Sequence, residues 1–175
     1  MKRLFIIGAG GHGKVVADAA VAAGYEIAGF ADDGKKKGEV VIGAYKALGN
    51  VAEAKTILSK NDFFIVAIGN NEMRKRIFTE LSNVAKTTIL IHPSAVVSAF
   101  AKIGRGTTIL ANAVINADAI IGDNCIINSA SLVDHETIIG SHSHIAQGTV
   151  IGSNCVLPEL FTTELGQNIK SGSKT

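Results

Sequence analysis

A histidine followed by a glutamate, His135-Glu136, is the pair in this 175-residue sequence best suited to acid–base chemistry. A carboxylate beside an imidazole fixes its tautomer and raises its basicity, which equips the ring to take a proton from an attacking nucleophile. The residues eighteen positions before and after His135 are Ala117 and Ser153, both small, so the imidazole stands out as an isolated protrusion. His144 follows nine residues later. The remaining histidines His92 and His142 read as surface residues.

A second candidate lies near the N-terminus. Gly8, Gly10 and Gly13 form a G-x-G-x-x-G loop after an apolar run at 2–7 and before a helix-forming run at 15–23. Such a loop presents backbone amides at a helix N-terminus, where a phosphate group binds. Asp32, nineteen residues beyond Gly13, ends the next strand, in the place where an acid meets a ribose hydroxyl in dinucleotide-binding units. His12 lies inside the loop with the same amides, in position to touch a ligand. Only about 90 residues surround this loop, too few for the second half that a nicotinamide needs, so one nucleotide diphosphate fits better than a dinucleotide. A nicotinamide dehydrogenase rests on the loop alone.

Two different periods determine what positions these groups. Up to residue 90, strand and helix signals alternate: strands at 2–7, 26–31, 62–68 and 88–91, and helices at 15–23 and 72–81. That order gives a small parallel sheet covered by helices, a Rossmann-like domain over 1–90. The charged run 34–39 is a solvated loop. From Ile91 to Leu157 every sixth residue is aliphatic, at all twelve positions, and the residue four after each of the first eleven is small. A period of six fits neither an amphipathic helix nor hairpins; it fits short strands wound into a three-faced parallel β-helix with about eighteen residues per coil. Glycines directly after the aliphatic residue, as at 104, 122, 140 and 152, read as turn formers. Half a coil separates His135 from His144, so one chain directs them to opposite sides of the prism, and a shared site needs two chains.

Composition narrows the partners. A formal net charge of +2 is too small for nucleic acid or an anionic membrane surface, and 5% aromatics with no Trp leaves nothing on which single strands can stack. The apolar opening is too short to span a membrane and has no signal-peptide cleavage pattern, so a cytoplasmic protein is expected. Cys125 and Cys155 both fall in the small-residue column on different faces, so packing is expected rather than a disulfide or a metal site.

Taken together, GAGGHGK (8–14), ADD (31–33), DFFIVAIGNNEMRKRIF (62–78), IHPSA (91–95) and VDHETIIGSHSHIA (133–146) resemble the bacterial UDP-4-amino-sugar N-acetyltransferases and the related sialic acid O-acetyltransferases, within the hexapeptide-repeat acyltransferases. The resemblance implies a left-handed β-helix, a homotrimer with active sites between subunits, and acetyl-CoA as co-substrate without a metal. It implies His135 as base oriented by Glu136, and His144 of a neighbouring chain at the acetyl-CoA or the developing oxyanion. It also implies that Gly10, Gly11 and His12 hold the UDP-amino sugar, with Asp32, Asp33 and Gly69 nearby. The acceptor is then the amine of a UDP-linked 4-amino-4,6-dideoxy sugar; a hydroxyl acceptor is the nearest alternative. The family's β-helix runs on for further coils that line the pantetheine groove. Here the hexads stop at Leu157, so the β-helix is expected over 91–158 and an irregular, partly disordered tail over 159–175. A nucleotide-sugar-binding protein with impaired acetyl transfer is therefore a further alternative.

Overall fold

A computed structural model describes residues 2–174 and divides the chain into two compact units, 1–88 and 89–175. In the first unit the apolar run near the N-terminus forms β1 (Arg3–Ile7), followed by α1 (Gly11–Ala22) and β2 (Glu26–Ala31). A short hairpin comes next, β3 (Val40–Ile42) and β4 (Tyr45–Gly49). Then come α2 (Val51–Ile57), β5 (Phe63–Val66), α3 (Asn71–Leu81) and β6 (Lys86–Thr87). The sheet order is β3-β4-β2-β1-β5-β6, parallel throughout except for the antiparallel hairpin β3–β4. This is the expected Rossmann-like sheet.

Its central strands are buried runs, and α2 and α3 bury Ala54, Leu58, Ile77, Phe78 and Leu81 against Phe5, Ile7, Phe64 and Val66. Helix α2 starts with a capping box, in which Asn50 accepts from the Glu53 amide and Glu53 accepts from the Asn50 amide. Helix α3 is capped by Asn70, which accepts from the Met73 amide at 2.9 Å. Of the strand expected over 88–91, Leu90–Ile91 forms β7 and pairs with the coil above it, while β6, at 86–87, closes the first sheet.

The second unit is a parallel β-helix. Among the described residues, thirteen two-residue strands from β7 to β19 (Asn168–Ile169) stack into three parallel sheets, each strand in register with the one eighteen residues on. The aliphatic column fills the prism, with Ile109, Ile115, Ile121, Ile127, Val133 and Ile139 at most 2% exposed. The small column lines it at the corners. Thr107 and Thr137 each donate to a carbonyl of the coil above at 2.8 Å, and the buried Cys125 and Cys155 thiols do the same at 3.3 and 3.2 Å. The two cysteines are not disulfide-bonded.

A third column escapes a reading based on hydrophobicity. Every sixth residue from 106 to 172 has a positive φ, because each corner bends the chain through the left-handed region. Gly, Asn and Asp fill most of these positions, as their tolerance of that region predicts. Ala130, Glu136, His142 and Leu160 do not belong to that set. The glycines at 104, 122, 140 and 152 each stand directly before a turn, at a φ that is not positive. They are required because the coil above passes too close for a side chain; a Cβ on Gly122 would lie 2.5 Å from the Ser141 amide nitrogen.

The tail differs from expectation. Residues 159–174 continue the β-helix through β19 and through the parallel bridges His144↔Thr162 and Val156↔Lys174. Three substitutions hide the period. Phe161 and Gln167 stand where the column calls for a small residue, and Thr163 stands where it calls for an aliphatic one. Thr163 is nevertheless buried, because its hydroxyl accepts from the Ala146 amide at 2.8 Å and pairs with Thr149 at 2.9 Å. The segment expected to be disordered, 171–175, is tied in by Gly172 N–H to Ser153 and Ser173 O from Val156; Thr175 lies outside the described residues. The premise of an arrest at Leu157 therefore fails.

Candidate active site

His135 sits at a corner of the β-helix, just after β14 (Leu132–Val133) and just before β15 (Ile138–Ile139). Its side chain is 51% exposed, and its Nδ1 lies 3.0 Å from Glu136 Oε2. With the proton of Nδ1 donated to that carboxylate, Nε2 keeps a lone pair directed away from Glu136 and able to accept a proton. Glu136 makes this contact from a φ of 59°, a left-handed conformation that costs a glutamate about 1–3 kcal/mol and that is held by the surrounding coils. Asp134 Oδ1 accepts from the His135 amide and from Asn116 Nδ2, each at 2.8 Å. The Asn116 amide, and then the His135 N–H, hold the Asp134 carboxyl below the usual range.

His144 lies on β16 (His144–Ile145), in a different sheet from β14. Asn128 Nδ2 lies 3.3 Å from its Nε2; an amide donor there makes Nε2 the acceptor and places the ring proton on Nδ1. Asn128 is buried and follows β13 (Ile126–Ile127) directly. No sequence signal singled it out, because a lone Asn at a strand end is ordinary. His142, expected at the surface, is buried. It turns a corner at φ 63°, with Nδ1 2.8 Å from Asn124 Nδ2 and Nε2 3.7 Å from Glu159.

In the first unit the C-terminal ends of β1, β2 and β5 converge. Gly8, at φ 110°, approaches the chain after β5 so closely that a Cβ would lie 2.6 Å from Ala67 O. Gly13 packs back on Gly8, with its virtual Cβ 2.1 Å from Gly8 O. Gly10 and Gly11, by contrast, have nothing within 4 Å of that position. Gly10 is the N-cap of α1, with no side-chain cap and no acid in the first turn, so the positive end of the helix dipole favours an anion there.

Asp32 differs from the ribose ligand of a dinucleotide site. Its Oδ2 accepts from Ala9 N at 2.6 Å and its Oδ1 from Gly34 N at 2.8 Å, so the carboxylate clamps the glycine loop. Asp33 accepts from Val51 N at 2.9 Å and borders a cavity of about 460 Å³ lined also by Asn50, Lys55, Arg76 and Glu80. Gly69 is exposed, in a loop fixed from below by Arg74. That side chain is fully buried and donates to Ile68 O at 2.9 Å, Gly69 O at 3.3 Å and Asn71 Oδ1 at 2.7 Å. The sequence placed this arginine on the helix at 72–81 and did not distinguish it from its neighbours.

Among the described residues no group of three or more His, Cys, Asp or Glu is arranged to hold a metal, and no helix is long and apolar enough to cross a membrane.

Residues 3–81 match the PglD N-terminal domain family, and residues 100–135 match the bacterial transferase hexapeptide (six repeats) family. Over 113 residues the chain is 38% identical to UDP-N-acetylbacillosamine N-acetyltransferase of Bacillus subtilis, a match covering 63% of this chain and 52% of that protein, about half the relative's length. The acetyltransferase domain of PglB from Neisseria gonorrhoeae, solved with acetyl coenzyme A, superposes with a TM-score of 0.92 at 36% identity, covering 99% of this chain and 84% of that one. PerB from Caulobacter crescentus, solved with CoA and GDP-perosamine, gives 0.91 at 30% identity, covering 99% and 83%.

Proposed function

The chain belongs to the hexapeptide-repeat acetyltransferases that carry a PglD-type N-terminal domain, and on that footing we propose that it moves acetyl from acetyl-CoA to the amine of a nucleotide-linked amino sugar. The observation that carries this reading is the His135–Glu136 pair, exposed at a corner with Nε2 available as a base. In the proposed reaction the amine nitrogen attacks the thioester carbon while His135 Nε2 takes its proton. The tetrahedral oxyanion then collapses, the C–S bond breaks, and the departing CoA sulfur receives the proton from His135. His144 is assigned to the oxyanion or to acetyl-CoA, with Asn128 beside its ring. The transfer is direct, without a covalent intermediate on the enzyme.

The nucleotide sugar is assigned to the glycine loop, with its diphosphate beside Gly11 and His12 at the N-terminus of α1, which no side chain caps. Gly10 and Gly69 border it, and Asp32 and Asp33 shape the loops around it. The acceptor is read as a UDP-linked 4-amino-4,6-dideoxy sugar, in line with the UDP-sugar named for the Bacillus subtilis relative. The test is thiol release from acetyl-CoA with this sugar, with its GDP-linked counterpart and with free sialic acid as acceptors. The UDP-amino sugar is expected to give the highest kcat/KM; turnover with sialic acid alone would overturn the assignment.

The working form is read as a homotrimer with sites between subunits. Support comes from two apolar ladders on the outside of the β-helix. Ile120, Ile138 and Val156 stack on one sheet, each about 40% exposed, while Val96, Val114, Leu132 and Val150 stack on the next. His135 occupies the corner between these two ladders. A neighbour covering either would bury the base beside a second chain, where half a coil of separation no longer keeps His144 away. Replacing Ile120 and Ile138 together with Lys is expected to convert a trimer to monomers in sedimentation velocity and to abolish thiol release. A wild-type monomer with full activity would contradict the shared site.

A further inference from the structure

We infer that Asp134 and Asn116 are positioning residues for acetyl transfer, a two-residue clamp between coils that sets where the His135 ring stands. The inference rests on the reading of His135 as the base. It starts from the register: β11 (Val114–Ile115) lies directly beneath β14, so Asn116 and Asp134 are stacked one coil apart. Asn116 Nδ2 donates to Asp134 Oδ1 at 2.8 Å, and the same oxygen accepts the His135 amide at 2.8 Å.

The other backbone groups of this corner are also tied. Asp134 N donates to Ile151 O at 3.0 Å, Glu136 N to Ala117 O at 3.1 Å, and His135 O accepts from Asn154 N at 3.1 Å. The His135 N–H is the group at this corner satisfied by a side chain and not by another coil. Of the partners of these backbone N–H and C=O groups, its acceptor is therefore the one that a point substitution can remove while leaving the ladder intact. The next residue, Glu136, is in a left-handed conformation that a glutamate adopts only when its surroundings impose it. A corner released at 134 lets that φ relax, and both the carboxylate that orients the imidazole and the imidazole itself move. The preceding corner has a like contact, Ser129 N–H to Asn128 Oδ1 at 2.9 Å before the left-handed Ala130. At the corners one coil below and above, by contrast, the left-handed residues Asp118 and Asn154 are of types that tolerate the conformation unaided. The ionised state of Asp134 favours the arrangement, because a charged acceptor makes a stronger hydrogen bond than a neutral one.

Three variants of the full chain separate positioning from other roles. Asp134→Ala removes both contacts and is expected to lower kcat by about 10- to 100-fold, with both KM values changing less than threefold, since a small displacement of a reacting group carries a cost of that order. Asp134→Asn keeps an oxygen at Oδ1 for the His135 amide and is expected to recover kcat to within about fivefold of wild type. Asn116→Ala leaves that bond but removes its support from the coil below, and an intermediate loss of about 3- to 10-fold in kcat is expected.

Equal losses in Asp134→Asn and Asp134→Ala would overturn positioning in favour of a role for the charge itself. Wild-type kcat in Asp134→Ala, in a protein whose His135→Ala variant is inactive, would overturn this inference and leave the base intact. Wild-type kcat in both Asp134→Ala and His135→Ala would overturn the assignment of the base and this inference with it. If Asp134→Ala fails to fold, Asn116→Ala carries the same decision: an unchanged kcat there overturns the clamp.

Discussion

Replacing His135 with alanine is expected to lower kcat for acetyl transfer by roughly 10²-fold or more, the scale of a lost general base. The KM values for acetyl-CoA and the nucleotide sugar should stay within a few-fold, because the ring acts on a proton in the transition state and is not assigned to bind either substrate. The fold should not respond. The side chain is half exposed at a corner, outside the aliphatic column that holds the coils together, and exposed substitutions of this kind change stability by about 0.5 kcal/mol or less. The measurement is steady-state thiol release beside a thermal melt. An unchanged kcat with an unchanged Tm would remove His135 from the chemistry.

The glycine loop supports a second prediction with a large effect, and two of its glycines, Gly13 and Gly11, should behave oppositely. A methyl at Gly13 would meet the Gly8 carbonyl oxygen at 2.1 Å, a backbone atom that cannot swing aside. Gly13→Ala is expected to cost at least about 1–3 kcal/mol, as overpacking does, and to lower Tm by roughly 4–8 °C for each kcal/mol in a unit of this size. It should also abolish nucleotide-sugar binding, since the turn between β1 and α1 must open. Gly11→Ala meets nothing within 4 Å and sits in the first turn of a helix, where alanine is the better helix former. Its Tm should hold or rise slightly, while KM for the nucleotide sugar rises about tenfold if the diphosphate approaches the backbone there. Calorimetric titration with the nucleotide sugar measures both. Identical behaviour of the two variants would show that the loop is only a structural turn.

Much of the architecture could be read from the residues because a β-helix writes its geometry into a fixed period. One aliphatic position and one small position in every six correspond to the inside of the prism and its corners, and both columns were visible without a structure. The corner column was harder to read, because left-handed backbone can be imposed on Glu136, His142 and Leu160 by the coils around them, against their own preference. The last coil was missed because Phe161 and Thr163 exchange the expected sizes and Gln167 stands in the small column, and only the hydrogen bonds of Thr163 to Ala146 and Thr149 show how a hydroxyl can occupy the core.

The candidate site was legible in part for the same reason. His135 and Glu136 are adjacent in sequence, so their contact needs no tertiary information. Asn128, Asn116 and Asp134 act across coils, sixteen to eighteen residues from their partners, and nothing in their types marks them. Asp32 was legible as an acid in a suggestive place, but its role as a clamp on Ala9 and Gly34 depends on how two loops meet. Arg74 looked like one charge among several on a helix. Its burial beneath the loop at 68–71 follows from the packing of α3 on the sheet.

The most direct test of the central claim is to locate the acetyl group after the reaction. The protein is incubated with acetyl-CoA carrying ¹³C in its acetyl group and with a UDP-linked 4-amino-4,6-dideoxy sugar, and the product is read by NMR. The expected result is the label in an amide on the 4-amino nitrogen, with one CoA thiol released for each acetyl transferred. Label on a sugar hydroxyl, or thiol release with no labelled sugar, would contradict acetyl transfer to the amine.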